Sequence, residues 1–297
     1  MSIFPTRILL ATDGSRDAEF AAITAAELVK ATGSELQVVH VDPLIAYARA
    51  VRTSESDEDA RNVLAGEVDG LRNVGVDVAE AHLKVGLPEE AIVALSEELG
   101  AGLIVMGSRG LGGVRRALMG SVSDSVVRHA HCPVLVTRWK AVGFPAKILL
   151  ATDASEDAHL ASSTATELAR RAGSELHVVH VGGQVTQGAF PTVQVGALPG
   201  THQDELDGRA KALLEAETER IKSSGSEVTG EHLRRGRADR KIVDLAEEEG
   251  ADLIVVGSRG LGGMRRALMG SVSDSVVHHA HCPVLIVRSE RERTRER

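Results

Sequence analysis

The sequence predicts an α/β chain of two tandem doubly wound domains, each a five-stranded parallel sheet covered by helices. Three observations carry this. The chain repeats itself, strand-like and helix-like segments alternate within each copy, and the strand-like runs are apolar throughout, as strands covered on both faces require.

The repeat is visible on direct alignment. Ile8-Leu9-Leu10-Ala11-Thr12-Asp13 returns as Ile148-Leu149-Leu150-Ala151-Thr152-Asp153, 140 residues on. Gly33-Ser34-Glu35-Leu36 and Val38-Val39-His40-Val41 return at Gly173 and Val178 with the same offset. Gly107 to Leu135 matches Gly257 to Leu285 with two differences, Val114/Met264 and Arg128/His278, and the offset is now 150. Ten residues have therefore entered the second copy, within Gly182–Gln203, whose Gly, Pro and Gln content reads as a long loop. With 297 residues each copy can bury its own core. The expected domains are 1–140 and 144–289, with a linker near Trp139–Phe144 and a solvated charged tail over 290–297.

In order, the first copy opens with strand Ile8–Thr12 and a helix after Ser15 that puts Ala18, Ala21, Ala22, Ala25 and Val29 on one face. Strand Leu36–Val41 precedes a helix with Ala60, Leu64, Val68 and Leu71 on its apolar side, and strand Val76–Val85 follows. The third helix starts at Pro88, a favoured first helical position, and stops at Gly100. Strand Leu103–Met106, a glycine loop, a helix from Ser121 and strand Val134–Thr137 complete the unit.

Composition narrows the function. Net charge is −8 and aromatics are 2% of residues, so neither the phosphate-neutralising surface nor the stacking platform of a nucleic-acid binder is expected. No apolar run reaches the length of a membrane span, and the first residues lack a signal-peptide layout. Cys132 and Cys282 occupy equivalent places in the two copies, a repeated position rather than a disulfide framework, which points to the cytoplasm.

The chemistry is expected at the end of the fourth strand, where Gly107-Ser-Arg-Gly110 is followed, after nine intervening residues, by Gly120-Ser121, and Gly257, Gly260, Gly270 and Ser271 repeat the pattern. Glycines after a buried strand let a ligand approach backbone amides, and the first turn of the next helix turns its unpaired N–H groups toward an anion. Asp124 stands where a capping box would place an acid for Ser121. If the first and fourth strands are neighbours at the switch point, Asp13 faces this loop, where a carboxylate suits a ribose hydroxyl rather than a phosphate. Asp13 also fits the N-cap region of the first helix beside Ser15, a role compatible with the first. A Walker A loop is excluded because no Lys occurs in either loop. The dinucleotide fingerprint fails at Arg115 and Arg265, and the Gly-x-Ser-x-Gly elbow fails at Met106.

His129-Ala-His131-Cys132 lacks the His-x3-His register of zinc sites, so no metal is expected there, and the helix dipole accounts for the histidines. Cys132 is expected to be buried rather than reactive, and His40 and His180 to pack at strand ends. Arg115-Arg116 and Arg265-Arg266 read as solvated charge or as groups reaching a terminal phosphate or a neighbouring subunit.

Gly-x2-Gly-x9-Gly-Ser after a fourth strand, an Asp ending the first, and the closing His-Cys-Pro-Val-Leu together resemble the universal stress protein family, in its tandem-domain form, over nearly the whole chain. The resemblance implies an adenine nucleotide alpha hydrolase-like fold and ATP binding, with or without Mg. Ala11, Thr12 and Asp13 would line the adenosine side and the Val41 backbone would read the adenine edge. Met106, Gly107, Arg109 and Gly110 would contact ribose and phosphate, and Gly120, Ser121, Val122 and Ser123 would surround the phosphates. The second set is Ala151, Thr152, Asp153, Val181, Val256, Gly257, Arg259, Gly260, Gly270, Ser271, Val272 and Ser273. Family members also pair through the last strand, which implies that Val134–Thr137 and Val284–Val287 join the halves as an internal pseudo-dimer, and that the chain forms a homodimer. The function implied is a regulatory, stress-responsive sensor with one adenine-nucleotide site per domain and no catalytic residues. Slow ATP hydrolysis and sensing of another adenine nucleotide such as cyclic AMP are the alternatives.

Overall fold

The computed structural model describes residues 4, 6–43, 54–111, 119–138, 144–182, 199–260 and 269–288, with backbone alone at 54–57 and 199–203. The first half runs β1 (Arg7–Thr12), α1 (Arg16–Thr32), β2 (Glu35–Pro43), α2 (Ser54–Asn73), β3 (Val78–Gly86), α3 (Pro88–Glu98), β4 (Leu103–Gly107), α4 (Ser121–His129) and β5 (Val134–Thr137). The second repeats it as β6 (Lys147–Ala151), α5 (Glu156–Ala172), β7 (Glu175–Gly182), α6 (Pro199–Ser223), β8 (Gly230–Arg235), α7 (Ala238–Glu249), β9 (Leu253–Gly257), α8 (Ser271–His279) and β10 (Val284–Val287).

Local sequence accounts for the helix ends. Ser15 caps α1, its Oγ accepting from Ala18 N, and Gly33 ends the helix in the left-handed conformation at φ 69°, its N–H donating to Val29 O. Ser155 and Gly173 do the same for α5. Two expected boundaries move. β3 begins at Val78 rather than Val76, because Gly75 N and Val76 N donate back to Arg72 O and Leu71 O and close the end of α2. The stretch read as loop over Gly182–Gln203 is helical from Pro199, a residue whose fixed φ suits a first helical turn. The rest of that insertion, the linker near Trp139, the charged tail and both Arg-Arg pairs lie outside the described residues.

The ten strands of the described residues form one sheet in the order β3-β2-β1-β4-β5-β10-β9-β6-β7-β8. Within each half every pairing is parallel; β5 and β10 meet antiparallel, with Leu135 opposite Leu285. The two halves are thereby joined edge to edge through their last strands. One core layer lies on each face of the sheet, and each runs through both halves. Ile8, Leu10, Leu103, Leu135, Ile148 and Leu285 belong to one, and Leu9, Ile104, Val134, Leu149, Val284 and Ile286 to the other. These side chains are almost wholly inaccessible, and each contributes about 1.5–3 kcal/mol of burial.

Candidate functional site

In each half the strand order reverses between the first and fourth strands. Chain direction takes β1 outward to β2 and β3, then back across to β4 on the other side. Ala11 of β1 is the register partner of Met106 of β4, so Thr12, Asp13 and Gly107 emerge together at the carboxyl ends of neighbouring strands. A crevice at that point is where doubly wound sheets receive ligands.

Gly107 is fixed by packing. A Cβ on it would stand 2.7 Å from the Asp17 carbonyl carbon and 2.9 Å from Ala18 N, inside the first turn of α1. Gly257 meets the backbone of Asp157 and Ala158 in the same way. The alanine face of α1 makes the approach possible, since Ala18, Ala21 and Ala25 hold the helix close to the sheet. Ser108 then donates from Oγ to Asp17 Oδ2 at 2.9 Å and from its amide to Thr137 O at 2.8 Å. Asp17 Oδ2 also takes Arg109 Nε at 3.2 Å, which directs this guanidinium toward α1.

Asp13 holds the loop to the strand. Its Oδ1 accepts from Ser15 N and its Oδ2 from Leu111 N, each at 3.0 Å, and a Cβ on Gly110 would overlap Oδ2. Ser15 Oγ adds a bond to Arg109 O at 3.3 Å, and Ser155 repeats it to Arg259 O at 3.1 Å. Asp153 accepts from Ser155 N and lies against Gly260 in the same relation. Asp13 thus serves the start of α1 and the glycine loop at once.

The loop returns at Gly120, whose N–H donates to Ser108 O at 2.8 Å. Here the structure corrects the expected capping. Gly120, not a serine, is the N-cap of α4, with no side-chain cap; Ser121 is the first helical residue, and Asp124 accepts from Arg128 Nε instead of closing a capping box. Ser123 Oγ reaches back to Gly107 O at 2.8 Å and Ser273 Oγ to Gly257 O at 2.6 Å, tying the helix start to the strand end. The first-turn amides of Ser121, Val122 and Ser123, and of Ser271, Val272 and Ser273, therefore have a glycine rather than a capping side chain in front of them. On the opposite side, Val41 lies near the end of β2 and Val181 near the end of β7. Met106 and Val256 are buried on the strands that carry the loops.

The expected histidine packing is found: His40 Nδ1 lies 2.9 Å from Thr12 O and His180 Nδ1 2.8 Å from Thr152 O. Cys282 is buried but Cys132 is only half-buried, short of what was expected; desolvation pushes the Cys132 thiol up to about 11 and the Cys282 thiol up to about 12, which favours the thiol over the thiolate at neutral pH. Besides Asp17, a second residue beside the site escaped the sequence reading. Glu67, on α2, accepts from Thr12 Oγ1 at 2.6 Å. Its signal was its recurrence as Glu217, 150 residues on.

A sequence model of the Universal stress protein family matches residues 5–138 and again 146–288. The chain belongs to the universal stress protein family. A universal stress protein of Mycobacterium tuberculosis (strain H37Rv) is 32% identical over 300 residues, which span 95% of this chain and 96% of that one. A putative universal stress protein of Staphylococcus aureus (strain USA300) is 39% identical over 137 residues, 44% of this chain and 82% of its own. The crystal structure of a universal stress protein from Archaeoglobus fulgidus superposes with a TM-score of 0.70 at 26% identity, covering 97% of each chain. The universal stress protein domain is thus present twice, and each copy retains Asp, three glycines and two serines at matching places.

Proposed function

We propose that each half binds one adenine nucleotide, ATP with or without Mg, and that the chain acts in the cytoplasm as a regulatory sensor of it. The observation that carries the reading is the doubled crevice at the β1–β4 and β6–β9 switch points. In both, glycines stand where a side chain would strike backbone or carboxylate, and a helix with a glycine N-cap follows. A phosphate in front of that helix gains amide hydrogen bonds and about 0.3–1 kcal/mol from the dipole. Asp13, held against the loop rather than in it, is placed for a ribose hydroxyl once Leu111 N is released. Binding stands ahead of hydrolysis, because both oxygens of Asp13 are committed to amides and no Lys occupies either loop.

Native mass spectrometry of the chain purified without added nucleotide tests the stoichiometry; two adenine nucleotides per chain are expected. By calorimetry, Gly120→Glu combined with Gly270→Glu weakens ATP at least about 100-fold, roughly 2.7 kcal/mol. Each new side chain starts within 3.5 Å of the loop backbone and carries a negative charge to the phosphate position. Unchanged affinity in a variant with native circular dichroism places the phosphates elsewhere.

A further inference from the structure

The outer edge of the second half carries a side-chain cluster that the first half lacks. His177 lies near the amino end of β7, opposite Gly230 of β8, and His232 is two residues further along β8 on the same face. The imidazoles stack with centroids 5.2 Å apart and planes 13° apart, and His177 Nδ1 is 2.9 Å from His232 Nε2. Glu249, the last residue of α7, brings Oε2 to 3.8 Å from His177 Nδ1 and Oε1 to 3.8 Å from His232 Nδ1. One donor atom from each of the three lies within 4.8 Å of the others.

We propose that His177, His232 and Glu249 form a binding site for a divalent transition-metal ion of the zinc class. Two imidazoles and one carboxylate, with a fourth position open to water, make a donor set that suits such ions. Glu249 is partly exposed, so the site has a path to solvent.

Three further features agree. The first is space beside the nitrogens. The point that a Cβ on Gly230 would take lies 2.5 Å from His177 Nδ1, the nitrogen that Glu249 approaches, so glycine keeps clear the space beside that donor. The second is an outer partner. With Nδ1 on a metal, Nε2–H of His177 faces Glu175 Oε2 at 3.6 Å; Nε2 is buried and has no hydrogen bond otherwise. A carboxylate behind a ligating histidine is the arrangement that fixes its tautomer. The third is charge. The C-terminal end of α7 has no basic residue in its last turn, and its carbonyl end favours a cation.

The first half shows what this edge is like without a metal set. Gln37, Glu80 and Leu99 replace His177, Gly230 and Glu249, and His82 Nε2 pairs with Gln37 Oε1 at 2.8 Å, an ordinary satisfied hydrogen bond. Three substitutions separate the edges, and each moves the second half toward coordination. The cluster sits at the amino end of β7, away from the nucleotide crevice at its carboxyl end.

The test uses the full chain, stripped with chelator and free of nucleotide. Zinc is titrated against a competing chelator, and cobalt serves as a spectroscopic probe. One tight equivalent is expected, with cobalt bands of low-symmetry nitrogen and oxygen ligation. His177→Gln and Glu249→Leu install residues that the first half already accommodates, so both should fold. Each weakens that equivalent by more than the roughly 10–100-fold cost of an outer-shell change. The proposal is overturned if the parent takes up no zinc, or if both variants bind it as the parent does. ATP affinity measured separately in the same variants stays unchanged, so failure of this site and failure of the nucleotide reading are distinguishable.

Discussion

Two residue pairs show how one position behaves differently in the two copies. Gly14 and Ala154 follow the first-strand Asp in each half, at φ 74° and 60°. The left-handed conformation costs a residue with a Cβ about 1–2 kcal/mol, whereas glycine gives up about 0.5–1 kcal/mol of chain entropy. Ala154→Gly should therefore stabilise the second half by roughly 0.5–1 kcal/mol. Gly14→Ala should destabilise the first by more than that, because Val63 Cγ1 stands 3.1 Å from the new Cβ. Urea midpoints read both, and a loss of stability in Ala154→Gly contradicts the strain. The second pair is Glu67 and Glu217. Burial pushes the Glu67 carboxyl up; the Thr12 hydrogen bond partly offsets this, while Glu19 and Asp13 add repulsion. Burial acts on Glu217 too, but the paired hydrogen bonds from Arg220, with His159 at 3.2 Å, outweigh it and hold that carboxyl low. For Glu67 the fold prefers the protonated form, so its contribution is intact below the ordinary value of 4.5 and declines as pH rises through the raised one. Glu67→Gln keeps an acceptor for Thr12 and removes the charge. It should raise Tm at pH 7, with the gain vanishing below pH 4.5. A shift of equal size at both pH values would point to packing instead.

At the level of elements, the pattern of apolar runs, Ser15, Pro88 and the glycine spacing is enough to lay out the strands and helices of the first copy, and the β1–β4 adjacency that the sequence left conditional is what the sheet shows. That much was legible because caps and glycines act within a few residues of themselves. What the loop does to its neighbours was not. Gly107 reads in sequence as a residue that lets a ligand in, yet its immediate constraint is the first turn of α1, 90 residues away in the chain. The sequence gives Ser123 a place beside the phosphates but no sign that its hydroxyl also anchors α4 to Gly107 O. Arg109 reads the same way and pairs with Asp17. Each of these interactions joins a strand end or its loop to a helix. No local pattern encodes the distance between a helix and a strand. The capping box failed for a related reason: the seating of Ser123 on β4 puts Gly120 at the N-cap and leaves Asp124 to Arg128 and to His278 of the other half.

On the scale of the whole molecule, the β5–β10 pairing makes one sheet and two continuous core layers, so the halves should behave as one folding unit. The pairing itself is short, with three register pairs. Side chains reinforce it from both sides of the pseudo-twofold axis. Arg138 NH2 donates to Val277 O near the end of α8, and Arg288 donates to Val127 O and Ala130 O at the end of α4, so each half sends a guanidinium to the carbonyl end of the other's helix. That is where the helix dipole favours a cation. Arg128 NH2 reaches Asp274 at 2.6 Å, while its counterpart His278 faces Asp124 at 3.4 Å, so the strongest difference within the repeated segment lies at this junction. Since β5 and β10 are each paired on both edges, a homodimer of this chain has to use another surface, the outer strands β3 and β8 or the helices. Hydrogen bonds to a charged group contribute about 1.5–3 kcal/mol each when intact. Arg138→Ala with Arg288→Ala should therefore cost about 3 kcal/mol or more, because both helix ends lose a donor inside the junction. In calorimetry the parent chain is expected to unfold in a single transition, and the double variant at a lower temperature, with the two halves melting apart. Two resolved transitions in the parent would mean that the shared core does not couple the halves. An unchanged Tm in the double variant would mean that the strand pairing alone holds them.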